Sequence, residues 1–201
     1  MKEDCLSEET VLSSPFDQFN NWFNKAVESK IPELNAAALA TSSKEGQPSV
    51  RIILIKNFSS DGFIFYTNYE SRKGLELKSN PKASLLFFWF SLGRQIRIEG
   101  IVKKISLVES DLYFQSRPLD SRISAWASRQ SQPIDSQELK LRKNKFENLY
   151  QNQPPRPNYW GGYCLSPCIF EFWQERSSRL HDRIVYSRKE EEIWKIFRIS
   201  P

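Results

Sequence analysis

A chain of 201 residues with 39% hydrophobic content is long enough to bury a core as one domain and gives no reason to be split. Twenty-nine Lys and Arg against 24 Asp and Glu leave a net charge of +5, which allows an anionic ligand, but the signs are interspersed and no polybasic tail marks a nucleic-acid arm. Three cysteines cannot all pair, one histidine excludes a multi-histidine metal centre, and no apolar stretch has signal-peptide or membrane-spanning length, so a cytoplasmic chain without metal is expected.

Residues 1–13 carry no apolar period and are expected to be a mobile tail, leaving residues 14–201 as a single domain. Ser14 as N-cap, Pro15 at the first helical position and Asp17 in the first turn predict a helix, with Phe16, Phe19, Phe23, Ala26 and Val27 on its apolar face. A strand of small residues over 35–41 turns at Lys44-Glu45-Gly46-Gln47 into a β-branched run over 50–56. Ser60-Asp61-Gly62 supplies turn chemistry before strand composition resumes over 63–67, so 50–56 and 63–67 are expected to pair as a hairpin. Ser71 caps a short helix that Asn80-Pro81 ends. The apolar run over 83–90 is expected to be a strand buried on both faces. After Ser91-Leu92-Gly93, Gln95, Arg97 and Glu99 alternate with Ile96 and Ile98, giving one polar and one core face. These five strands with hairpin-like connections predict a mainly β, α+β fold built on a small antiparallel barrel. A helical stretch over 108–128 is broken at Arg117-Pro118, and another runs from Asp135, whose Asp-x-x-Glu start has the form of a capping box, to Tyr150. A Pro-rich connector over 151–158 leads to strands at Tyr163, 169–173, 183–186 and, after an acidic turn at Glu190–Glu192, 193–199.

No Walker motif, Gly-x-Ser-x-Gly elbow or His-Glu-x-x-His occurs, and the remaining chemistry lies in cations beside hydroxyls and aromatics. Arg51 and Lys56 interrupt an apolar strand, where a basic group needs a partner or a ligand. On a regular strand they point to opposite faces, so a shared pocket requires a bulge or a subunit seam. Arg72 and Lys73 sit in a first helical turn, where cations oppose the dipole by a few tenths of a kcal/mol unless an anion binds; the alternative is a solvated pair. Tyr113 and Arg117 share a helical face with Ser121 just past the break, which suits an anion clamp or a surface ion-pair patch. In SRLHDR, Arg179, His181 and Arg183 fall on one face if the segment is extended, as a ligand site or as a surface strand paired by Asp182. So many anion-binding places suit a compound with two phosphates or two phosphorylated compounds.

These residues sit in RIILIK, FYTN followed by SRK, Gln95 in RQIRIEG, YFQSRPLDSRISAW, ASRQSQ, PNYWGGY, FWQ, RLHDR and the terminal WKIFRISP. With those motifs at those spacings, residues 16–201 resemble the pyridoxine (pyridoxamine) 5'-phosphate oxidase family, FMN enzymes of the split-barrel flavoprotein fold. The resemblance implies a homodimeric split antiparallel β-barrel with FMN between two subunits, so that some site residues serve the partner. It gives FMN contacts to Arg51, Ile52, Ile53, Leu54, Ile55, Lys56, Tyr66, Thr67, Arg72, Lys73, Gln95, Gln130, Ser131, Trp173 and Arg183. Lys56, Tyr113, Arg117 and Ser121 would clamp the substrate phosphate, and Arg179, Leu180 and His181 would lie beside the substrate ring, with Arg179 and His181 as the catalytic pair.

The reaction so implied oxidises pyridoxine 5'-phosphate or pyridoxamine 5'-phosphate to pyridoxal 5'-phosphate, passing hydride to flavin N5 and then electrons to oxygen, with hydrogen peroxide as product and ammonia from the amine. Residues 1–14 depart from the family pattern, being acidic and lacking the Arg and Tyr of a segment that folds over the substrate in many members. Other readings are a related split-barrel flavoprotein reductase, an FMN or pyridoxal-phosphate carrier, and a nucleic-acid-binding barrel. The resemblance implies neither a nucleic-acid partner nor a membrane one.

Overall fold

The computed structural model describes residues 6–189 and 193–201. In chain order these form α1 (Pro15–Glu28), β1 (Ala36–Ser42), β2 (Pro48–Leu54), β3 (Asn57–Ser59), β4 (Gly62–Asn68), α2 (Arg72–Ser79), β5 (Lys82–Trp89) and β6 (Arg94–Lys104). They continue with α3 (Leu107–Ser116), α4 (Leu119–Ala127), α5 (Ser136–Tyr150), β7 (Trp160–Gln174), β8 (Asp182–Ser187) and β9 (Lys195–Arg198). The strands make one antiparallel sheet in the order β2-β1-β5-β6-β7-β4-β3, with β8 on β7 and β9 on β8.

Strand β7 gives the sheet its curl. It pairs with β6 along most of its length, but its other edge takes β4 over 160–165 and β8 over 169–174. One edge feeding two partners bends the sheet into a half-barrel. Between those halves Gly100 pairs with Pro167 while Glu99 pairs with Ile169, so Cys168 is the extra residue of a bulge. Proline has no N–H for the ladder, which is why the sequence reads there as two strands and the structure holds one bent strand.

The concave face is closed by α1. Ser14 caps it by accepting from the Asp17 N–H, and Phe19 is fully buried with its ring 4.8–5.2 Å from those of Phe58, Phe63 and Phe87. Burying one such side chain stabilises the fold by about 1.5–3 kcal/mol, so this aromatic cluster is a main source of cohesion.

Three expectations are corrected. The strand over 50–56 pairs with β1 as the turn at residues 44–47 predicts, but it ends at Leu54 and the hairpin partner of β4 is β3, because the chain turns at Ile55, whose N–H bonds Asn35 O, and Lys56, whose N–H bonds Ile64 O. Strand β5 is buried on one face only: Leu85, Phe87 and Trp89 enter the core, whereas Phe88 is 55% exposed. Helix α1 covers the concave side and no described element covers the other. Residues 6–13 are docked, with Leu6 buried, Arg198 donating to Leu6 O and Tyr186 to Leu12 O, each at 2.6 Å. The remainder of the expected tail, residues 1–5, and the acidic turn at Glu190–Glu192 lie outside the described residues.

Candidate active site

Helix α2 begins directly beyond the end of β4 and meets β1 and the edge strand β2 through one carboxylate, Glu76. Arg72 and Glu76 are four apart, and the Arg72 Nε donates to Glu76 Oε1 at 2.9 Å. Glu76 Oε2 accepts from Thr41 Oγ1 at 2.5 Å and Ser49 Oγ at 2.6 Å, and lies 3.4 Å from Arg51 Nη2. Arg51 in turn donates to the Thr41 and Ser49 hydroxyls and to Leu39 O. Burial pushes the Glu76 carboxyl up, but hydrogen bonds from Ser49, Thr41 and Arg72 and the charge of Arg51 outweigh it and hold its pKa down at about 2.

Lys73 is buried, and among the described residues its ammonium bonds hydroxyls only, Thr67 Oγ1 at 3.2 Å and Ser71 Oγ at 3.4 Å. Burial and the neighbouring Arg51 lower its pKa, while Glu76 opposes the shift. The loop after α4 arrives at the same helix end, where Ser131 Oγ accepts from the Arg72 N–H at 3.2 Å. Three cations, Arg51, Arg72 and Lys73, therefore line a cavity of about 820 Å3, and Glu76 holds two of them from behind.

At the cavity's other side three rings lie nearly parallel. Tyr66 stacks on Tyr113 at 3.7 Å, and Trp160 stands 5.7 Å from Tyr66 and 6.3 Å from Tyr113. The Arg117 guanidinium covers the Trp160 ring at 4.5 Å, and its buried Nη1 has no hydrogen-bond partner among the described residues. Burial lowers the Arg117 pKa, an effect Tyr113 opposes. Arg117 is the C-cap of α3 in extended conformation, so the break before Pro118 turns it inward beside Tyr113, with Ser121 following in α4.

The cavity thus gathers Arg51, Ile52, Ile53, Leu54, Lys56, Tyr66, Thr67, Arg72, Lys73, Tyr113, Arg117, Ser121, Gln130 and Ser131. Ile55 is buried and faces a separate apolar pocket beside Phe19 and Phe58. Gln95, Trp173, Arg179, Leu180, His181 and Arg183 do not line the cavity in this chain. Register places Phe88, Gln95, Trp173 and Arg183 in one cross-strand row, so they share a sheet face. Arg183 donates to buried Glu171 at 2.8 Å.

The expected one-sided alternation of SRLHDR is corrected. Ser177–Arg179 is a tight turn with positive φ at Ser178 and Arg179, Leu180 is 70% exposed, and the strand starts only at Asp182. Asp182 is drawn inward by Arg176 at 2.6 Å and Arg198 at 2.8 Å, which breaks the parity. His181 packs 4.6 Å from Trp173, and its Nδ1 accepts from the Arg176 N–H at 3.1 Å, so the neutral imidazole carries its proton on Nε2.

Sequence reasoning missed Thr41, Ser49, Glu76 and Trp160. Two signals were available: Ser49 and Arg51 share a strand face two residues apart, and Glu76 follows Arg72 at helical i,i+4 spacing.

Residues 23–151 match the family described as Pyridoxamine 5'-phosphate oxidase, and residues 160–201 match the Pyridoxine 5'-phosphate oxidase C-terminal dimerisation region. The chain is 58% identical over 196 residues to the pyridoxine/pyridoxamine 5'-phosphate oxidase of Bordetella pertussis, spanning 98% of this chain and 93% of the relative. The enzyme of the same name from Cupriavidus metallidurans is 52% identical over 198 residues, with the same coverage of 98% and 93%. Among solved structures, PhzG from Burkholderia lata in complex with tetrahydrophenazine-1-carboxylic acid has a TM-score of 0.91 at 32% identity, covering 98% of both chains. A pyridoxamine 5'-phosphate oxidase-related, FMN binding protein from Nostoc punctiforme has a TM-score of 0.73 at 18% identity, covering 94% of this chain and 98% of that one, a likeness of fold.

Proposed function

This chain belongs to the pyridoxamine 5'-phosphate oxidase family, and on that footing we propose that it is a cytoplasmic, homodimeric FMN enzyme that oxidises pyridoxine 5'-phosphate and pyridoxamine 5'-phosphate to pyridoxal 5'-phosphate with oxygen. The observation that carries this reading is one cavity lined by Arg51, Arg72 and Lys73 and also by Arg117, which lies on the Trp160 ring beside Tyr66 and Tyr113. Among the described residues Lys73 is buried on hydroxyls alone and Arg117 has a buried guanidinium nitrogen lacking a partner, and each suits an anion. Two phosphates fit that donor set.

Arg51, Arg72 and Lys73 would hold the FMN phosphate, with Thr67, Gln130 and Ser131 around it; Arg117, Tyr113, Ser121 and Lys56 would hold the substrate phosphate. Bound FMN would supply the two-electron chemistry, with oxygen as the final acceptor. His181, its Nδ1 occupied by a backbone N–H, would donate from Nε2 and orient the substrate with Arg179.

The row holding Gln95, Trp173 and Arg183 supports a dimer, because it continues into exposed apolar surface at Phe88. Two-fold pairing through that face would cover the apolar residues and bring the row, with Arg179 and His181, to the partner's cavity. A ligand carrying a carboxylate, like the tetrahydrophenazine-1-carboxylic acid with which PhzG is in complex, is the second reading, favoured by the 0.91 TM-score. Anaerobic addition of pyridoxine 5'-phosphate to the purified protein tests the choice: the flavin absorbance should bleach and return with air. A flavin band unchanged by either B6 phosphate would overturn the proposed substrate, and absence of bound flavin would overturn the cofactor.

A further inference from the structure

The cationic pole at the start of α2 contains a group that an anion site would be expected to exclude. Glu76 is 7% exposed, carries a negative charge, and touches or approaches two of the three cations. Its side chain is fully committed: one oxygen holds Arg72 through Nε, and the other holds the Thr41 and Ser49 hydroxyls to which Arg51 also donates. Arg72 is thereby fixed by one edge, leaving its two Nη groups without a partner among the described residues and able to point at the cavity. Arg51, Arg72 and Lys73 less Glu76 sum to two positive charges, matching the charge of about −1.5 to −2 on a phosphomonoester at neutral pH. Glu76 also offsets the mutual repulsion of Arg51 and Lys73, which otherwise favours loss of the Lys73 proton.

We propose that Glu76 is a positioning residue for phosphomonoester recognition, orienting Arg51 and Arg72 and trimming the pole to the charge of a phosphate dianion. The inference rests on the reading of this pole as the FMN phosphate site. Simple Coulomb repulsion makes the opposite forecast, since removing a negative charge beside a phosphate should tighten binding. Geometry outweighs it here because an arginine that loses its anchor must be ordered again on binding, and a charge-assisted hydrogen bond depends steeply on alignment.

The test is titration of the full-length chain, freed of flavin, with FMN and with riboflavin, which lacks the phosphate, reading flavin fluorescence. Wild type should prefer FMN strongly. Glu76→Gln should weaken FMN about tenfold, the loss of one well-aligned charge-assisted bond, and leave riboflavin unchanged. Glu76→Asp keeps the charge one methylene short of its partners and should show a smaller loss with the same selectivity for FMN, which serves if Glu76→Gln does not fold. FMN bound as tightly or more tightly by these variants overturns the proposal, as does a parallel loss for both flavins, the mark of a purely structural role. Wild-type protein that binds both flavins alike, or neither, overturns instead the assignment of the pole to the FMN phosphate.

Discussion

The Arg117 guanidinium lies 4.5 Å over the Trp160 ring, yet its buried Nη1 has no hydrogen-bond partner among the described residues. A donor left in that state costs about 1–3 kcal/mol, so the side chain is held by its aromatic neighbour in readiness for an acceptor that the described residues do not provide.

Arg117→Ala should therefore act on substrate affinity. The phosphate it would hold does not react, so its contact is equal in ground and transition states, and the loss should appear in KM with kcat little changed. At roughly 1.5–3 kcal/mol for a charge-assisted bond, KM should rise on the order of 10- to 100-fold while FMN stays bound. Steady-state kinetics together with the flavin content decide it; loss of flavin with an unaltered KM would show that Arg117 serves the other phosphate.

His181 should act as a hydrogen-bond donor. With Nδ1 accepting from the Arg176 N–H, a His181→Gln variant keeps a neutral donor of similar reach and should retain kcat within about tenfold, whereas loss of a general base costs about 10²–10⁴-fold. The chain has a single histidine, so its ring nitrogens can be read by NMR, and a proton found on Nδ1 would contradict this role.

Glu76 should contribute to acid sensitivity. Its folded pKa of about 2 lies below the ordinary 4.5, so the stability it contributes is complete above 4.5 and is lost as pH falls toward 2. Urea unfolding of wild type and Glu76→Gln should show a gap at pH 7 that narrows over that window. A gap independent of pH would mean that the Glu76 charge is not what stabilises the fold.

Phe88→Glu should separate assembly from folding. Phe88 is 55% exposed, so a charge there costs a single chain little, but on a shared face it would be buried without a partner. Sedimentation should report a monomer with native circular dichroism and reduced flavin content; a dimer with full flavin would place the interface elsewhere.

Local chemistry was legible in the sequence because it acts within a few residues. Ser14 and Pro15 start α1, Pro118 ends α3 so that Arg117 leaves the helix beside Tyr113, and the alternation from Gln95 to Glu99 sets the two faces of β6. The sequence pattern also placed Arg51 and Lys56 on opposite faces of a regular strand. What it did not contain was the partner of β4. That β4 takes β3 and β7 rather than β2, and that the chain turns at Ile55, is decided by pairings across the sheet, and this turn brings Lys56 to the cavity of Arg51. The one-sided burial of β5 depends on which face α1 covers, and the shape of the SRLHDR segment on Arg198 reaching Asp182 from another strand. Glu76 is the sharpest case, since its spacing from Arg72 showed one ion pair while its bonds to Thr41 and Ser49 span 35 and 27 residues. Hydrophobic period and capping are fixed by neighbours in the chain, but the desolvation and hydrogen bonding that set a buried charge's role exist only once distant segments have packed around it.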